Sequence, residues 1–419
     1  MKLTIVGGGS TYTPELIDGL VRVRDRLDVS EVALQDVSAG RLDVLAAMSR
    51  RMLAVGDHPA VVTTHTGLAP AAEGADVVLV QLRVGGQAAR LQDETLPLRC
   101  DCLGQETTGA GGLAKALRTV PVMLDVAERV RAVNPSAWLI DFTNPVGIVT
   151  RALLQAGHRR VVGLCSAAVV FQRHFARVLD VDPSRLALDH VGLNHLTWER
   201  RVLLDGEDVL PRLLGEYGEK VAPATGLPVD LVRRLGTVPS YYLHYYYAHD
   251  EVVAGQKANG VRAQEVMEIE GRLLEAYADP SVTAKPELLT RRGGAFYSEA
   301  ALDLMASLRD GDGRTHVVNL RNGSALPFLS ADSVIEVPAT VGADGPVALP
   351  VAPVEPLLSG LIAHVTAYEH LALEAAVHGG RDRVFRALLA HPLVGRHAVA
   401  DRLTDSLLEA NRAYLPWAA

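Results

Sequence analysis

The fold is decided by the segment Lys2-Leu3-Thr4-Ile5-Val6-Gly7-Gly8-Gly9-Ser10-Thr11. Its first residues, through Val6, form a short apolar run of the β type, and the glycines end that run at once. A helical pattern follows from residue 14 to residue 26, with Leu16, Leu20 and Val23 on one face. The sequence therefore begins with a predicted strand, a glycine turn and a helix.

Strand and helix patterns continue to alternate outward from this segment. Further apolar strands are predicted at 32–36, 75–82, 137–142 and 161–164, and helices at 41–55 and 113–133. Continuously apolar strands that alternate with helices predict a parallel sheet covered on both faces. The fold class is therefore α/β, with a Rossmann-like parallel sheet.

The alternation fades after about residue 170. Longer helices are predicted at 262–278, 297–308, 355–378 and 396–412, with β-like segments at 186–201 and 317–337. A chain of 419 residues is long for a single core. We therefore predict two domains: residues 1–170 as an NAD-binding Rossmann-like domain, and residues 171–419 as an α+β domain for substrate and metal.

Composition restricts the class of partner and the compartment. The net charge of -8 argues against a nucleic-acid binder, which would present a basic face. Three cysteines are too few for a disulfide framework, and the first residues do not resemble a signal peptide, so a cytoplasmic location is expected. No apolar run reaches the ~20 residues of a spanning helix, so no membrane segment is expected.

The glycine turn has the form of a dinucleotide site. Gly7 and Gly9 match the first two glycines of the fingerprint, whereas Tyr12 stands at the third. Asp36 ends the second predicted strand, where a carboxylate accepts hydrogen bonds from a ribose and favours NAD over NADP. The alternative is a strand–turn–helix unit without a ligand. The predicted NAD-binding residues are Gly7, Gly8, Gly9, Ser10, Thr11 and Asp36.

Polar residues follow the later strands. Arg83 comes directly after the third predicted apolar strand, Arg90 lies soon after it, and Asn144 follows the strand at 137–142. Ligands bind at the carboxyl ends of strands in open α/β sheets. Each arginine alone would more often be a solvated charge, and the repetition at successive strand ends is what favours a binding role.

Two further patterns bear on chemistry. Cys165 ends the strand at 161–164 and His195 follows Asn194, and a thiolate with an imidazole suits a transition metal. A lone cysteine is more often a small buried apolar residue, and a lone histidine a structural one. The tyrosine-rich segment 240–247 is either an aromatic core strip or the source of a phenolate base.

Taken together, these motifs resemble glycoside hydrolase family 4, the NAD- and metal-dependent glycosidases. The resemblance extends over nearly the whole chain. Within the family the chain is most similar to the 6-phospho-β-glucosidases, through segments 242–247 and 262–266. The motifs that define the resemblance are Val6–Thr11, Arg83–Gly86, Gly104–Gly109, Thr143–Pro145, Gly163–Cys165, Gly192–His195, Ile335–Ala339, Tyr368–Glu369 and His391–Val394.

The resemblance implies a lactate/malate dehydrogenase-like architecture and a redox route to bond cleavage. NAD⁺ takes a hydride from C3 of the sugar, a base removes the C2 proton, the aglycone leaves C1, and water and the hydride then return. The two-carboxylate mechanism of most glycosidases does not apply to this family. A divalent metal, predicted to be manganese, polarises the C3 oxygen.

The resemblance also implies roles for individual residues. Cys165 and His195 match the metal ligands, and Tyr242 matches the base, with Tyr241 as its neighbouring competitor. A homodimer or homotetramer is expected. The substrate-side residues are Arg83, Arg90, Asn144, Ser166 and Asn194, and Arg262 is predicted to bind the 6-phosphate because a guanidinium suits phosphate.

One departure affects specificity. Members of the family usually have Asn or Asp after the metal-binding cysteine, and this chain has Ser166. A serine is a poor general acid, which argues against an α-glucosidase. The alternatives to a 6-phospho-β-glucosidase are a family 4 enzyme for an unphosphorylated glycoside or glucuronide, a plain NAD-dependent dehydrogenase, and a non-catalytic NAD sensor.

Overall fold

The computed structural model describes residues 1–294 and 296–418. Six parallel strands form the first half of its sheet, in the order β3-β2-β1-β4-β5-β6, which is the strand order of a Rossmann fold. The strands are β1 (Lys2–Val6), β2 (Glu31–Gln35), β3 (Val61–His65), β4 (Val77–Val80), β5 (Trp138–Asp141) and β6 (Val161–Gly163).

Six helices alternate with or follow these parallel strands along the chain. They are α1 (Thr13–Arg22), α2 (Ala39–Val55), α3 (Leu68–Ala72), α4 (Gly86–Thr95), α5 (Gly109–Val133) and α6 (Val146–Gln155). The predicted helices at 14–26, 41–55 and 113–133 correspond to α1, α2 and α5. Strand β3 was missed because it lies at the sheet edge, where Thr63 and Thr64 interrupt the apolar pattern.

The second half of the chain extends the same sheet with antiparallel strands. The order continues β6-β11-β12-β7-β8-β10, while β13 pairs with β12 and β9 with β8. These strands are β7 (Leu186–Leu193), β8 (Leu196–Leu204), β9 (Glu207–Asp208), β10 (Val238–Pro239), β11 (Arg314–Arg321), β12 (Val334–Gly342) and β13 (Gly345–Ala348).

Further helices in the second half of the chain pack against the antiparallel strands and against helices of the first half. The four long helices predicted in this half are present as α13, α14, α15 and α17. None of the helices in the described part of the chain has the length and apolar character to cross a bilayer. The helices are α7 (Ala167–Leu179), α8 (Leu210–Gly215), α9 (Gly218–Val221), α10 (Val229–Leu235), α11 (His244–Tyr247), α12 (His249–Asn259), α13 (Arg262–Ala278), α14 (Tyr297–Asp310), α15 (Pro356–His378), α16 (Arg381–Ala390) and α17 (His397–Asn411).

The predicted domain boundary after residue 170 falls inside α7. The sheet is also continuous from the parallel to the antiparallel half, through the pairing of Asn319 in β11 with Gly163 in β6. The division into two domains at this position therefore stays a prediction. For function, the consequence is that strands from both halves of the chain end at the same edge of the sheet.

Candidate active site

Side chains from both halves gather at the carboxyl edge of the parallel strands. Arg83, Asn144 and Cys165 lie in the loops that follow β4, β5 and β6. The Thr143 hydroxyl joins two of these loops, because it accepts from the Leu82 N–H at 3.0 Å and donates to a carbonyl of β4 at 3.2 Å. The loops that hold Arg83 and Asn144 are therefore fixed against each other.

The glycine turn after β1 leaves no room for side chains. Gly7 has a φ of +83°, and a Cβ there would lie 2.7 Å from the Gln81 carbonyl oxygen. A Cβ on Gly9 would lie 2.8 Å from Oδ2 of Asp36, which also accepts from the Gly9 N–H at 3.0 Å. A bare turn beside a carboxylate fits the pyrophosphate and ribose of a dinucleotide.

The other predicted residues of the turn are held by neighbouring elements. The Gly8 N–H donates to a carbonyl of β2 at 2.8 Å, and the Ser10 N–H donates back to Gly7 at 3.0 Å. The Thr11 hydroxyl donates to Glu270 of α13 at 3.2 Å. The turn is therefore supported by β2 on one side and by α13 on the other.

Tyr12 occupies the position of the missing third glycine. Its hydroxyl donates to the Gly294 carbonyl, and the guanidinium of Arg292 lies 5.6 Å from its ring centroid. Arg292 also pairs with Glu270 at 2.9 Å and is close enough to Arg83 for the two charges to interact. Sequence reasoning missed Arg292, because a single arginine in a loop has no periodic or spacing signal.

Cys165 and His195 lie in one buried region. Nδ1 of His195 is 2.9 Å from the Thr107 hydroxyl, and its Nε2 is buried with no hydrogen-bond partner in the described part of the chain. The side chains of Asn194 and Tyr297 interact with the Cys165 thiol, whose pKa burial raises to about 12. A soft sulfur ligand and an orphaned imidazole nitrogen fit a divalent transition metal.

The described residues do not supply a complete set of protein ligands for a metal. Within residues 1–294 and 296–418, no cluster of three or more His, Cys, Asp or Glu side chains could hold an ion. The Asn144 Oδ1 is also buried without a hydrogen-bond partner in these segments. Cys165 and His195 therefore fit an open site whose remaining positions are available to substrate or water.

Tyr242 lies directly against His195. The two rings are stacked, with centroids 3.6 Å apart and an interplanar angle of 8°, while Tyr241 is 50% exposed. The geometry distinguishes the two competitors, because Tyr242 is the one beside the predicted metal ligand. Burial raises the pKa of Tyr242 well above its ordinary value. A cation beside the phenol is therefore needed before it acts as a base.

Arg83 and Arg90 surround a buried carboxylate that sequence reasoning did not assign. Glu106 is ion-paired with Arg83, accepts from Lys115 Nζ at 2.7 Å and lies 3.3 Å from Arg90 Nε. Burial alone would raise the pKa of Glu106, but the three cations lower it well below its ordinary value. Glu94 lies 2.7 Å from Arg90. The sequence signal for Glu106 was its place in the motif Gly104–Gly109.

Arg262 begins α13 beside this cluster, since the N–H of the next residue, Ala263, donates to Glu94 at 2.7 Å. The Arg262 side chain is 44% exposed, and its guanidinium bonds Glu265 and the Arg291 carbonyl. Ser166, in contrast, is buried directly after Cys165, at the beginning of α7. Asn194 donates to Glu336 of β12 at 2.9 Å. Among the predicted substrate-side residues, Arg83 and Arg90 meet at Glu106, whereas the Arg262 guanidinium is paired with Glu265.

Comparison with known proteins identifies the family. Residues 2–181 match the model of the family 4 glycosyl hydrolases, and residues 190–394 match the model of the family 4 glycosyl hydrolase C-terminal domain. The chain belongs to glycosyl hydrolase family 4. The family resemblance inferred from the sequence motifs is confirmed.

Individual relatives agree with this membership. A probable 6-phospho-β-glucosidase of Bacillus subtilis is 36% identical over 99% of this chain and 97% of its own. The 6-phospho-β-glucosidase of Thermotoga maritima, solved with manganese, NAD⁺ and glucose-6-phosphate, superposes with a TM-score of 0.92 at 30% identity over 99% of both chains.

A more distant structure bears on the fold alone. Malate dehydrogenase of Cryptosporidium parvum covers 89% of this chain and 99% of its own, with a TM-score of 0.57 at 16% identity. The predicted α/β class with a dehydrogenase-like architecture is confirmed.

Proposed function

We propose that this chain hydrolyses 6-phospho-β-glucosides in an NAD⁺- and Mn²⁺-dependent reaction. The observation that most supports this proposal is the stack of Tyr242 on His195, whose Nε2 is buried and unpartnered among the described residues, beside Cys165. The stack places a proton acceptor next to a pair of ligands for a Lewis acid. The Bacillus subtilis and Thermotoga maritima relatives bear the name of this activity.

The residues that would hold the two cofactors are separate. Gly7 to Thr11 and Asp36 would hold NAD⁺, and Cys165 with His195 would hold the metal. When bound, these groups supply reversible hydride transfer at C3 of the sugar and polarisation of the C3 oxygen.

The remaining chemistry belongs to side chains of this protein. Tyr242 would remove the proton from C2 once C3 is oxidised, so that the aglycone leaves from C1. Ser166, buried directly after Cys165, would donate a hydrogen bond to a sugar hydroxyl or the leaving group. A serine hydroxyl is too weak an acid to protonate a leaving group outright, which favours β-glycosides with good leaving groups.

The charge of the site suits an anionic sugar. Three buried or half-buried cations, Arg83, Arg90 and Lys115, face Glu106, and Arg90 also faces Glu94. Arg292 adds a guanidinium that is 16% exposed. We assign the 6-phosphate to Arg83 and Arg292 in preference to Arg262, whose side chain is 44% exposed and already bonded to Glu265 and the Arg291 carbonyl.

The substrate assignment is tested with aryl glucosides under NAD⁺ and Mn²⁺. The proposal expects turnover of the β-anomer that has the 6-phosphate, and none of the α-anomer. Equal turnover without the phosphate would establish a different specificity, such as a plain glycoside or glucuronide. NADH that accumulates in proportion to product would identify a dehydrogenase, since the hydrolase returns each hydride.

The phosphate assignment is tested with a matched pair of variants. Arg292→Gln should raise KM for the phosphorylated substrate about 10- to 100-fold, because a charged hydrogen bond to phosphate is lost. Arg262→Gln should change KM less than about twofold, as for an exposed ion pair. The opposite ranking would restore the assignment to Arg262.

Assembly and location are part of the same proposal. A homodimer or homotetramer is expected, and sedimentation equilibrium measures it. The three cysteines are free, and Cys165 must remain reduced to bind a metal, which is consistent with the cytoplasm. Fractionation of cells that express the natural gene tests the location.

A further inference from the structure

A row of paired residues connects the strand that leads to Cys165 with the hairpin that holds His195. Gly163 of β6 pairs with Asn319 of β11, Asn319 pairs with Glu336 of β12, and Glu336 pairs with Gly192 of β7. The row crosses four adjacent strands. It ends two residues before Cys165 on one side and three residues before His195 on the other.

Glycines stand at both ends of the row, and the one at Gly163 makes room for the side chain of Asn319. A Cβ on Gly163 would lie 2.9 Å from Cβ of Asn319, and Gly192 has a φ of +149°. Glu336, in the middle of the row, is 1% exposed. Its Oε2 accepts from Asn194 at 2.9 Å and from Asn319 at 2.7 Å.

His190 lies on the other side of this carboxylate. Its Nε2 is 3.2 Å from Oε1 of Glu336, and its Nδ1 is 2.7 Å from Oε1 of Glu199. All three side chains are at most 1% exposed. Since each ring nitrogen faces a carboxylate acceptor, both nitrogens have a proton, and the ring is an imidazolium. The three groups together have a net charge of -1.

This arrangement leads from His190 to the proposed metal site in three contacts. His190 holds one oxygen of Glu336, the other oxygen of Glu336 holds the amide of Asn194, and Asn194 interacts with Cys165 and directly precedes His195. Without His190, the Glu336 carboxylate could adopt more than one orientation. The position of the Asn194 amide, which Glu336 holds, would then be less well defined. Partners of this kind, one step behind metal ligands, orient those ligands and tune affinity.

We propose that His190, clamped between Glu199 and Glu336, is a positioning residue that fixes the Asn194–His195 turn for binding of the divalent metal. The inference rests on the proposed function, because it requires that Cys165 and His195 hold a metal. The ring nitrogens of His190 bond Glu199 and Glu336, so His190 acts on Cys165 and His195 through Glu336 and Asn194.

The test measures Mn²⁺ affinity from the EPR signal of free Mn²⁺, in the full chain with NAD⁺ present. His190→Gln should weaken Mn²⁺ binding about 10- to 100-fold, as for other residues behind metal ligands. At saturating Mn²⁺ its turnover should return to within about threefold of wild type, since no reacting group is lost. A residue that serves only the fold would lower turnover at every Mn²⁺ concentration.

An electrostatic role and a positioning role of His190 predict opposite effects of His190→Gln on Mn²⁺ affinity. Removing the imidazolium makes the surroundings of the metal more negative, so a purely electrostatic role would leave Mn²⁺ binding unchanged or tighter. Unchanged or tighter binding by folded His190→Gln protein would therefore overturn the proposal. If wild-type protein binds no Mn²⁺, the proposed function fails instead, and the two failures are distinguishable.

Two further variants keep the test decisive. If His190→Gln does not fold, Glu199→Gln takes its place in the test, because this substitution is isosteric and leaves His190 in place. Glu199→Gln should weaken Mn²⁺ binding by a smaller factor, about threefold. Tighter binding by Glu199→Gln would also overturn the proposal. The matched control is His158→Gln. His158 is buried, lies 4.0 Å from Glu128 and comes before the first residue of β6, whereas Cys165 follows the last. Loss of the His158 ring should leave Mn²⁺ affinity unchanged.

Discussion

The imidazole of His195 and the phenol of Tyr242 form a parallel stack, with ring centroids 3.6 Å apart and planes 8° from coplanar. The stack holds the phenol ring against the imidazole, whose Nε2 is left without a partner in the described part of the chain. A cation bound by that nitrogen would lie close to the phenol and favour its ionised form. The proposed proton acceptor and the proposed metal ligand therefore form a single structural unit.

The first prediction concerns this phenol. Tyr242→Phe keeps the ring stack and removes only the hydroxyl, so turnover should fall about 10²- to 10⁴-fold, the usual contribution of a general base. Exchange of the C2 proton in deuterated water should be lost in parallel. NAD⁺ and Mn²⁺ binding should be retained.

The neighbouring phenol is the matched control. Tyr241 is 50% exposed, so Tyr241→Phe should turn over at nearly the wild-type rate. If Tyr241→Phe instead lost C2 exchange and Tyr242→Phe kept it, the assignment of the base would pass to Tyr241.

The second prediction concerns the hydroxyl that orients His195. Thr107→Val removes the hydrogen-bond partner of Nδ1, 2.9 Å away, at nearly constant volume. Mn²⁺ affinity should fall about 10- to 100-fold, because the tautomer and the ring orientation are no longer fixed. EPR of free Mn²⁺ measures this.

A neighbouring threonine provides the comparison. Thr108 is also buried, and its side chain forms no capping bond at the beginning of α5, so Thr108→Val should leave Mn²⁺ affinity unchanged. Equal effects of the two variants would indicate a general disturbance of the loop before α5.

The sequence was informative where chemistry follows local patterns. Gly7, Gly9 and Asp36 were recognised because a strand, a glycine turn and an acidic residue follow one another within a single βα unit. The residue types of Cys165 and His195 suggest a metal pair, but thirty residues separate them, and the family resemblance is what favours that role over a structural one. What brings them together is the pairing of β6, β11, β12 and β7, which no local pattern encodes.

The residues that were missed have in common that their partners are distant in sequence. Arg292 meets Tyr12 across the fold, and His190 meets Glu336 on a different strand. Arg262 was assigned to phosphate from its residue type and its family position, yet within the chain it bonds Glu265, three residues away. The sequence alone therefore does not predict interactions of charged side chains with partners that are distant along the chain.

The third prediction concerns the glycine turn. Gly9→Ala adds a Cβ that would lie 2.8 Å from the carboxylate of Asp36, so that carboxylate must move away from the proposed ribose position. We expect NAD⁺ affinity to fall about tenfold, equivalent to about 1.4 kcal/mol, in a fluorescence titration.

A glycine on the next helix controls for the added methyl group. A Cβ on Gly40 would meet no atom within 4 Å, so Gly40→Ala should bind NAD⁺ as wild type does. Unaltered NAD⁺ binding by Gly9→Ala would show that the Asp36 carboxylate is not held at the cofactor.

The fourth prediction concerns the buried carboxylate between the cations. Glu106→Gln leaves Arg83, Arg90 and Lys115 without their shared counter-charge. Loss of one partner of a buried ion pair costs about 3 to 5 kcal/mol, so the free energy of unfolding should fall by about 3 kcal/mol in urea. Glu409→Gln, which breaks an exposed pair with Arg412, should cost less than about 0.5 kcal/mol. Similar losses in the two variants would indicate that the cluster around Glu106 is hydrated.

The last prediction concerns the pH dependence of stability that His190 confers. Burial alone would lower the pKa of His190, but the carboxylates of Glu199 and Glu336 raise it to about 10. A folded-state pKa above the unfolded value of about 6.5 means that the folded chain binds the proton more tightly. The stability due to this proton is therefore fully present below about pH 6.5 and is lost as the pH rises towards 10.

Urea unfolding of metal-free protein measures this dependence as the difference between wild type and His190→Gln. The difference should be largest near pH 6 and should decrease steadily towards about pH 10, while groups that titrate in both proteins cancel. For His158→Gln the difference should be flat above about pH 7.5, because burial lowers the pKa of His158 and the ring is already neutral there. A difference for His190→Gln that is also flat would mean that His190 is neutral in the fold, so that only one of its nitrogens donates to a carboxylate.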